Sequence, residues 1–260
     1  MRGIALCLGM LLAWPLAGQA AEPAKPTSID FGAGAWVDVD ATGKAHVVEM
    51  DKLRRFKDDS KPGSIADIIK ARLRERIETW EFTPPTKNGV AVSGKTHVGV
   101  AMVAEDDGAG GLQLRVKSAG TGMQVLQYPS LRPLVSELGG ASGWWFMVHL
   151  DIGPNGQVVD THMVDSRMFN GREFVAQSSR FARNVDQTVT KLVKQMTFST
   201  EFVDGQPIAG EGDIPIKVCT NSPGRCDVVD PEPAAKTDAR EFVVVNPAVQ
   251  LRTAVAGTVL

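Results

Sequence analysis

Trp80-Glu81-Phe82-Thr83-Pro84-Pro85, running on to the turn Asn88-Gly89, has a counterpart later in the chain: Met196-Thr197-Phe198, running on to Asp204-Gly205. Nine residues separate Trp80 from Gly89 and also Met196 from Gly205. Nine more lead from Gly89 to Val98 and from Gly205 to Ile214. Equal offsets carrying matching residue types are the mark of an internal repeat. The two passages therefore stand at the same point of one plan used twice.

Upstream of Trp80, Ala35-Trp36-Val37-Asp38-Val39-Asp40 alternates apolar and polar residues, which suits a half-buried strand. Ala41-Thr42-Gly43-Lys44 gives a turn, and Ala45 to Met50 resumes in extended style, so a hairpin is expected. Ser64 stands three residues before Asp67, a capping-box-like start, and Ile65, Ile69, Leu73, Ile77 and Trp80 share one helical face. The spacing predicts a helix over 65–79. Pro84 and Pro85 stop it, because proline lacks an N–H and disfavours helix in the residue before it. After Asn88-Gly89, Thr96 to Val103 returns as a strand.

The second copy follows the same order. Trp145 to Ile152, the turn Gly153-Pro154-Asn155-Gly156 and Gln157 to Val164 read as a hairpin. Phe174, Phe181, Val185, Val189, Leu192 and Met196 recur at helical spacing. Ile214 to Val218 then replaces the last strand. Each copy is β-β-α-β, a three-stranded antiparallel sheet with one helix packed on it, and the fold class is α+β. The expected organisation is a signal peptide at 1–20, a first unit at 30–104, a linker at 105–124, a second unit at 125–220 and a tail at 221–260. Leu112 to Val116 and Glu241 to Val245 are apolar enough for additional strands.

The N-terminus carries export information. Met1-Arg2 is a short positive start, Gly3 to Leu16 is almost wholly apolar, and Ala17-Gly18-Gln19-Ala20 offers small residues to a signal peptidase. This is the pattern of a signal peptide cut after Ala20 or Ala21, which delivers the chain to the periplasm. The alternative is an uncleaved inner-membrane anchor facing the periplasm, but the apolar run is interrupted by Pro15 and falls short of the roughly 20 residues that span a bilayer. Leu16-Ala17-Gly18 is followed by Gln19, where lipid attachment requires a cysteine, which argues against a lipoprotein.

The full chain has 260 residues, 28 basic and 30 acidic, with three cysteines. So even a charge balance excludes a polybasic nucleic-acid binder, and three cysteines cannot build a disulfide-dense miniprotein or a four-cysteine zinc site. Removing residues 1–20 takes Arg2 and Cys7 and leaves a net charge of -3 with two cysteines. These are Cys219 and Cys226, separated by Thr220-Asn221-Ser222-Pro223-Gly224-Arg225, a turn-forming stretch. In an oxidising compartment they are expected to form a disulfide, contributing about 2.5 kcal/mol by the chain-entropy argument. The spacing matches neither a C-x-x-C redox pair nor a common zinc knuckle.

Taken with Tyr128-Pro129, the strand ending in Gly156, Phe198 and Asp204-Gly205, the second copy resembles the C-terminal domain of the TonB energy-transducer family. The first copy resembles it through Trp80, Phe82 and Pro84, followed by Asn88-Gly89. It lacks a tyrosine-proline start, and the second copy has Met196 and Thr200 where the family has tryptophan and proline. The resemblance implies a non-enzymatic interaction module of the Gram-negative envelope, whose partner is an envelope protein such as an outer-membrane receptor. In the family, the receptor's short extended segment is added to a sheet edge, where unpaired N–H and C=O groups await it. The alternative is an anchored energy-transducer component for receptor-driven transport. Glu22-Pro23-Ala24-Lys25-Pro26-Thr27 would reach only roughly 20 Å as a proline-rich spacer, too short for the family's span of the periplasm.

Competing chemistry is sparse. His46, His97, His149 and His162 all fall in expected strands. His149 and Asp151 share a strand face and His162 lies on the next strand, so a surface metal site and a metal-assisted enzyme are a third reading. No helical H-E-x-x-H accompanies them, and solvent-facing strand residues are expected instead. There is no G-x-S-x-G elbow, and Gly108-Ala109-Gly110-Gly111 lacks the Lys-Ser/Thr of a phosphate loop. No catalytic, cofactor or metal residue, no small-molecule substrate and no nucleic-acid partner is assigned. Lys70, Arg72, Arg74 and Arg76 alternate with Glu75 and Glu78 as a solvated helix face, and Trp144-Trp145-Phe146 is expected to send alternate side chains into the core.

Overall fold

Apolar residues at every second position give the first strand one dry face. In the computed structural model, which describes residues 28–53, 62–106, 112–130, 134, 143–170, 173–175, 179–219 and 243–260, strand β1 (Ile29–Val39) pairs antiparallel with β2 (Ala45–Met50). Ala35, Val37, Val39, Ala45 and Val47 are all buried. Helix α1 (Ile65–Ile77) follows. The Ser64 hydroxyl accepts from the Asp67 N–H at 3.1 Å, and the Asp67 carboxylate returns to the Gly63 N–H at 2.9 Å. The first bond satisfies one of the donors that a helix start leaves open, and the second ties the residue before the cap to the first turn.

The inward face of α1 is Ala66, Ile69, Leu73 and Ile77. Ile65, expected on that face, is 66% exposed, because Ala66 takes the place one turn ahead of Ile69. The helix ends two residues early. Thr79 N–H bonds Arg76 C=O and Trp80 N–H bonds Ile77 C=O, so the last turn tightens to an i→i−3 pattern before Trp80 enters the core.

The remaining elements are β3 (Phe82–Thr83), β4 (Thr86–Lys87), β5 (Val90–Ala91), β6 (Gly94–Asp106), β7 (Leu112–Gly122), β8 (Val125–Gln127), β9 (Gly143–Ile152), β10 (Val158–Asn170) and β11 (Glu173–Val175). Helix α2 (Ser179–Val193) leads to β12 (Thr197–Phe198), β13 (Phe202–Val203), β14 (Gln206–Pro207), β15 (Gly210–Cys219), β16 (Val243–Val245) and β17 (Gln250–Leu251). The described chain is thus mostly strand with two helices, an α+β protein whose strand pairings are antiparallel.

The sheets are wider than the sequence suggests. The first has the order β14-β13-β6-β1-β2, with β7 also on β6, and the second runs β11-β10-β9-β15-β16. The thirteen-residue β6 explains the growth of the first sheet. One side pairs with β1 from Gly94 to Ala104; the other would leave a long row of unpaired backbone groups. There β7 pairs with His97 to Asp106, and β13 takes Gly94 and Lys95. Residues 105–124, expected as a linker, therefore hold an eleven-residue strand.

Two cores form. Ile69, Leu73, Ile77, Trp80 and Phe82 pack with Val37, Val47, Val98 and Val100 in the first. Val185, Val189, Val193, Met196 and Phe198 pack with Trp144, Phe146, Val148 and Leu150 in the second. Trp145, on the opposite face from Trp144, is also buried, against Phe169 and Met147, so this end of β9 is dry on both faces. The stretch expected as a tail closes the first core: Val249 and Val255 are buried in it, and β17 pairs with β3. Residues 1–27, with the Ala20/Ala21 cleavage position, and Cys226 of the expected bridge lie outside the described residues.

Candidate functional site

The residues singled out by the repeat occupy matching local geometries. Gly43 and Gly156, both at positive φ in the hairpin turns, lie against the carbonyls of Phe82 and Phe198, where a Cβ would collide with the oxygen. Each glycine carbonyl in turn accepts from the phenylalanine N–H, Phe82 to Gly43 at 3.2 Å and Phe198 to Gly156 at 2.8 Å. Asn88-Gly89 and Asp204-Gly205 have positive φ at both positions. That is the geometry of a two-residue type I′ hairpin turn, joining β4 to β5 and β13 to β14. Trp80, Phe82 and Phe198 are buried, Pro84 and Pro129 are half-buried, and Tyr128 is exposed. Trp80 and Phe82 belong to the first core, and Met196 and Phe198 to the second.

The two outer strands of the paired hairpins differ at their edges. On β2, the Val47 N–H donates to Glu78 Oε1 at 3.1 Å and its carbonyl accepts from Arg74 Nη1 at 2.8 Å. Helix α1 thereby occupies backbone groups that an added strand would use. Strand β10 pairs with β9 along Val158–Phe169 and with β11 only at Met168 to Asn170. Over 158–167 no other strand lies on its outer side among the described residues. Register shifts beside Val159 and Val164 mark two bulges, and those valines are 63% and 54% exposed. The bulges bend the edge and limit the stretch without a strand partner to Asp160–Met163, where the Thr161 N–H donates to Asp160 Oδ1 at 2.8 Å.

The outward face of the same sheet carries a polar cluster. His149 on β9 lies opposite His162 on β10 and Asp213 on β15, while Asp151 lies opposite Glu211. His149 Nδ1 is 2.8 Å from Asp213 Oδ1; its Nε2 is 3.7 Å from Asp151 Oδ1 and 3.9 Å from Glu211 Oε2. The His162 ring centroid is 4.7 Å away. Sequence reasoning found His149, Asp151 and His162 but missed Glu211 and Asp213. The signal was present: Glu211-Gly212-Asp213 puts two carboxylates on one strand face, beside the His149-Leu150-Asp151 strand.

The other histidines separate. His46 is exposed and lies 3.4 Å from Glu78, whereas His97 is buried, with Nε2 2.9 Å from Asp51 Oδ2. Gln124 Nε2 donates to the same Asp51 oxygen at 3.2 Å. His97 thus departs from the solvent-facing placement expected for it, since the Trp36 ring, 5.5 Å away, and Asp51 pack against it.

Glu201 is a second polar centre that the sequence did not announce. It is buried, accepting from Thr96 Oγ1 at 2.7 Å and from the N–H groups of Ala248 at 3.0 Å and Val249 at 3.4 Å. Burial raises its pKa above the ordinary value, although the Ala248 N–H, the Thr96 hydroxyl and the Val249 N–H pull the other way. It ties β6, the loop before β13 and the C-terminal segment together.

No protein-family model, no curated protein and no solved structure matches the chain. No helix among the described residues is long and apolar enough to cross a membrane.

Proposed function

We propose that the chain is a non-enzymatic interaction module of the periplasm, built from two divergent TonB-C-like β-β-α-β copies, which binds an extended segment of an envelope protein at the β10 edge. The observation that carries this reading is the contrast between the edges. The backbone of β2 is occupied by Arg74 and Glu78, whereas β10 has no strand beside Val158–Arg167 among the described residues. Strand addition supplies affinity through main-chain bonds and selects partners through alternate side chains. The exposed Val159 and Val164 flank the open stretch and favour a partner with apolar residues at its ends. The two-copy reading is supported by the paired glycine–phenylalanine contacts and by the order β2-β1-β6 beside β10-β9-β15.

The test is crosslinking of the purified chain in periplasmic extract. The expected outcome is one envelope protein recovered with the wild type and lost when Val159 and Val164 are both changed to lysine, which blocks an edge without touching the core. The same change at the exposed Val48 of β2 should leave recovery intact. Equal recovery by the wild type and the double-lysine variant refutes binding at this edge.

A further inference from the structure

We infer that His149, Asp151 and Glu211 are the ligands of a Zn2+ ion on the outer face of the second sheet, with Asp213 orienting the imidazole. His149 Nε2 and one carboxylate oxygen each from Asp151 and Glu211 all lie within 4.8 Å of one another. Zinc bonds to nitrogen and oxygen are about 2.0–2.2 Å, so the edges of a tetrahedral site are roughly 3.3–3.5 Å. The imidazole-to-carboxylate separations of 3.7 and 3.9 Å exceed that by a few tenths of an ångström, a gap that small side-chain rotations close. One imidazole and two carboxylates is a mixed donor set that zinc accepts, and it leaves a fourth position for water.

The second shell points the same way. Asp213 stands at Nδ1, on the far side of the ring from the two other carboxylates, at 2.8 Å. A carboxylate at that nitrogen fixes the orientation of the ring, with Nε2 on the side of Asp151 and Glu211. Among the described residues no lysine or arginine forms an ion pair with Asp151, Glu211 or Asp213; the basic side chain beside them is His149. Three carboxylates thus surround one imidazole, and His162 adds a second imidazole beside it.

The backbone gives the set rigidity. β9 is flanked by β10 and β15, and Asp151↔Glu211 and His149↔Asp213 are successive cross-strand pairs on one face. The site needs no loop to close over it. It differs from the β10 edge in position and in the ligand it takes, so neither proposal depends on the other.

The experiment is equilibrium dialysis of the purified chain against zinc chloride, with bound metal measured by mass spectrometry. One zinc per chain is expected. His149→Ala and Glu211→Gln should each abolish stoichiometric uptake, Asp213→Asn should weaken affinity about 10–100-fold, and His46→Ala should leave it unchanged. Glu211 is 45% exposed, so Glu211→Gln reads the site without disturbing the core. Cobalt substitution gives a second readout, a visible absorption band that Asp213→Asn shifts. Failure of the wild type to take up stoichiometric zinc overturns the site. Uptake that survives in both His149→Ala and Glu211→Gln overturns it as well, and places the metal elsewhere.

Discussion

Strands β2 and β10 hold corresponding positions, each the second strand of a hairpin that lies beside a helix, yet they meet solvent differently. On β2 the helix reaches over and bonds the Val47 backbone through Arg74 and Glu78. On β10 the helix makes only the 4.0 Å side-chain pair between Lys194 and Asp160, and the backbone bond comes from the strand itself, Asp160 Oδ1 accepting from the Thr161 N–H at 2.8 Å. The same arrangement of strands and helix can thus protect an edge or leave it usable. A few long side chains on the helix decide which.

The largest expected effect tests whether the two cores are built alike. Phe82→Ala and Phe198→Ala each remove a buried ring beside a turn glycine, and each should cost about 3–5 kcal/mol. Urea unfolding of both variants measures the difference; a gap of more than about 2 kcal/mol would show that the matching contacts do unequal work. The next concerns the place where the halves meet. Glu201→Ala leaves the Thr96 hydroxyl and the Ala248 N–H without their acceptor, at a cost of about 1–3 kcal/mol.

The pH dependence of Glu201 follows from its raised pKa. The folded protein holds that proton more tightly than the unfolded chain does, so its contribution to stability is full below the unfolded value near 4.5. It is lost as pH rises through the higher folded value. Thermal melts of wild type and Glu201→Gln across that range should show this slope in the wild type and its loss in the variant. The smallest effect is at the protected edge. Arg74→Ala should cost about 1 kcal/mol and free the Val47 carbonyl, and sedimentation should then detect self-association through β2 that the wild type lacks.

Much of the fold was legible because it rests on local patterns. The alternation in β1 and β9, the Ser64 cap and the Asn88-Gly89 and Asp204-Gly205 turns are set by neighbours in sequence. What escaped was non-local. Nothing near Leu112–Gly122 says that β6 needs a partner along its second side, and nothing near Glu201 names Thr96 or Ala248. The same holds for the histidine cluster. His149 and Asp151 are two residues apart, but Glu211 and Asp213 join them only through the β9–β15 register.

That non-local wiring also sets an order of events. Val249 and Val255 are part of the first core, β17 lies on β3, and the Thr253 hydroxyl accepts from the Glu81 N–H across 172 residues. A ribosome delivers residues 28–106 before those later segments exist as folded partners. The half of the protein that emerges first is therefore the half completed last, and its helix and hairpin must wait with an open flank until the chain returns to close it.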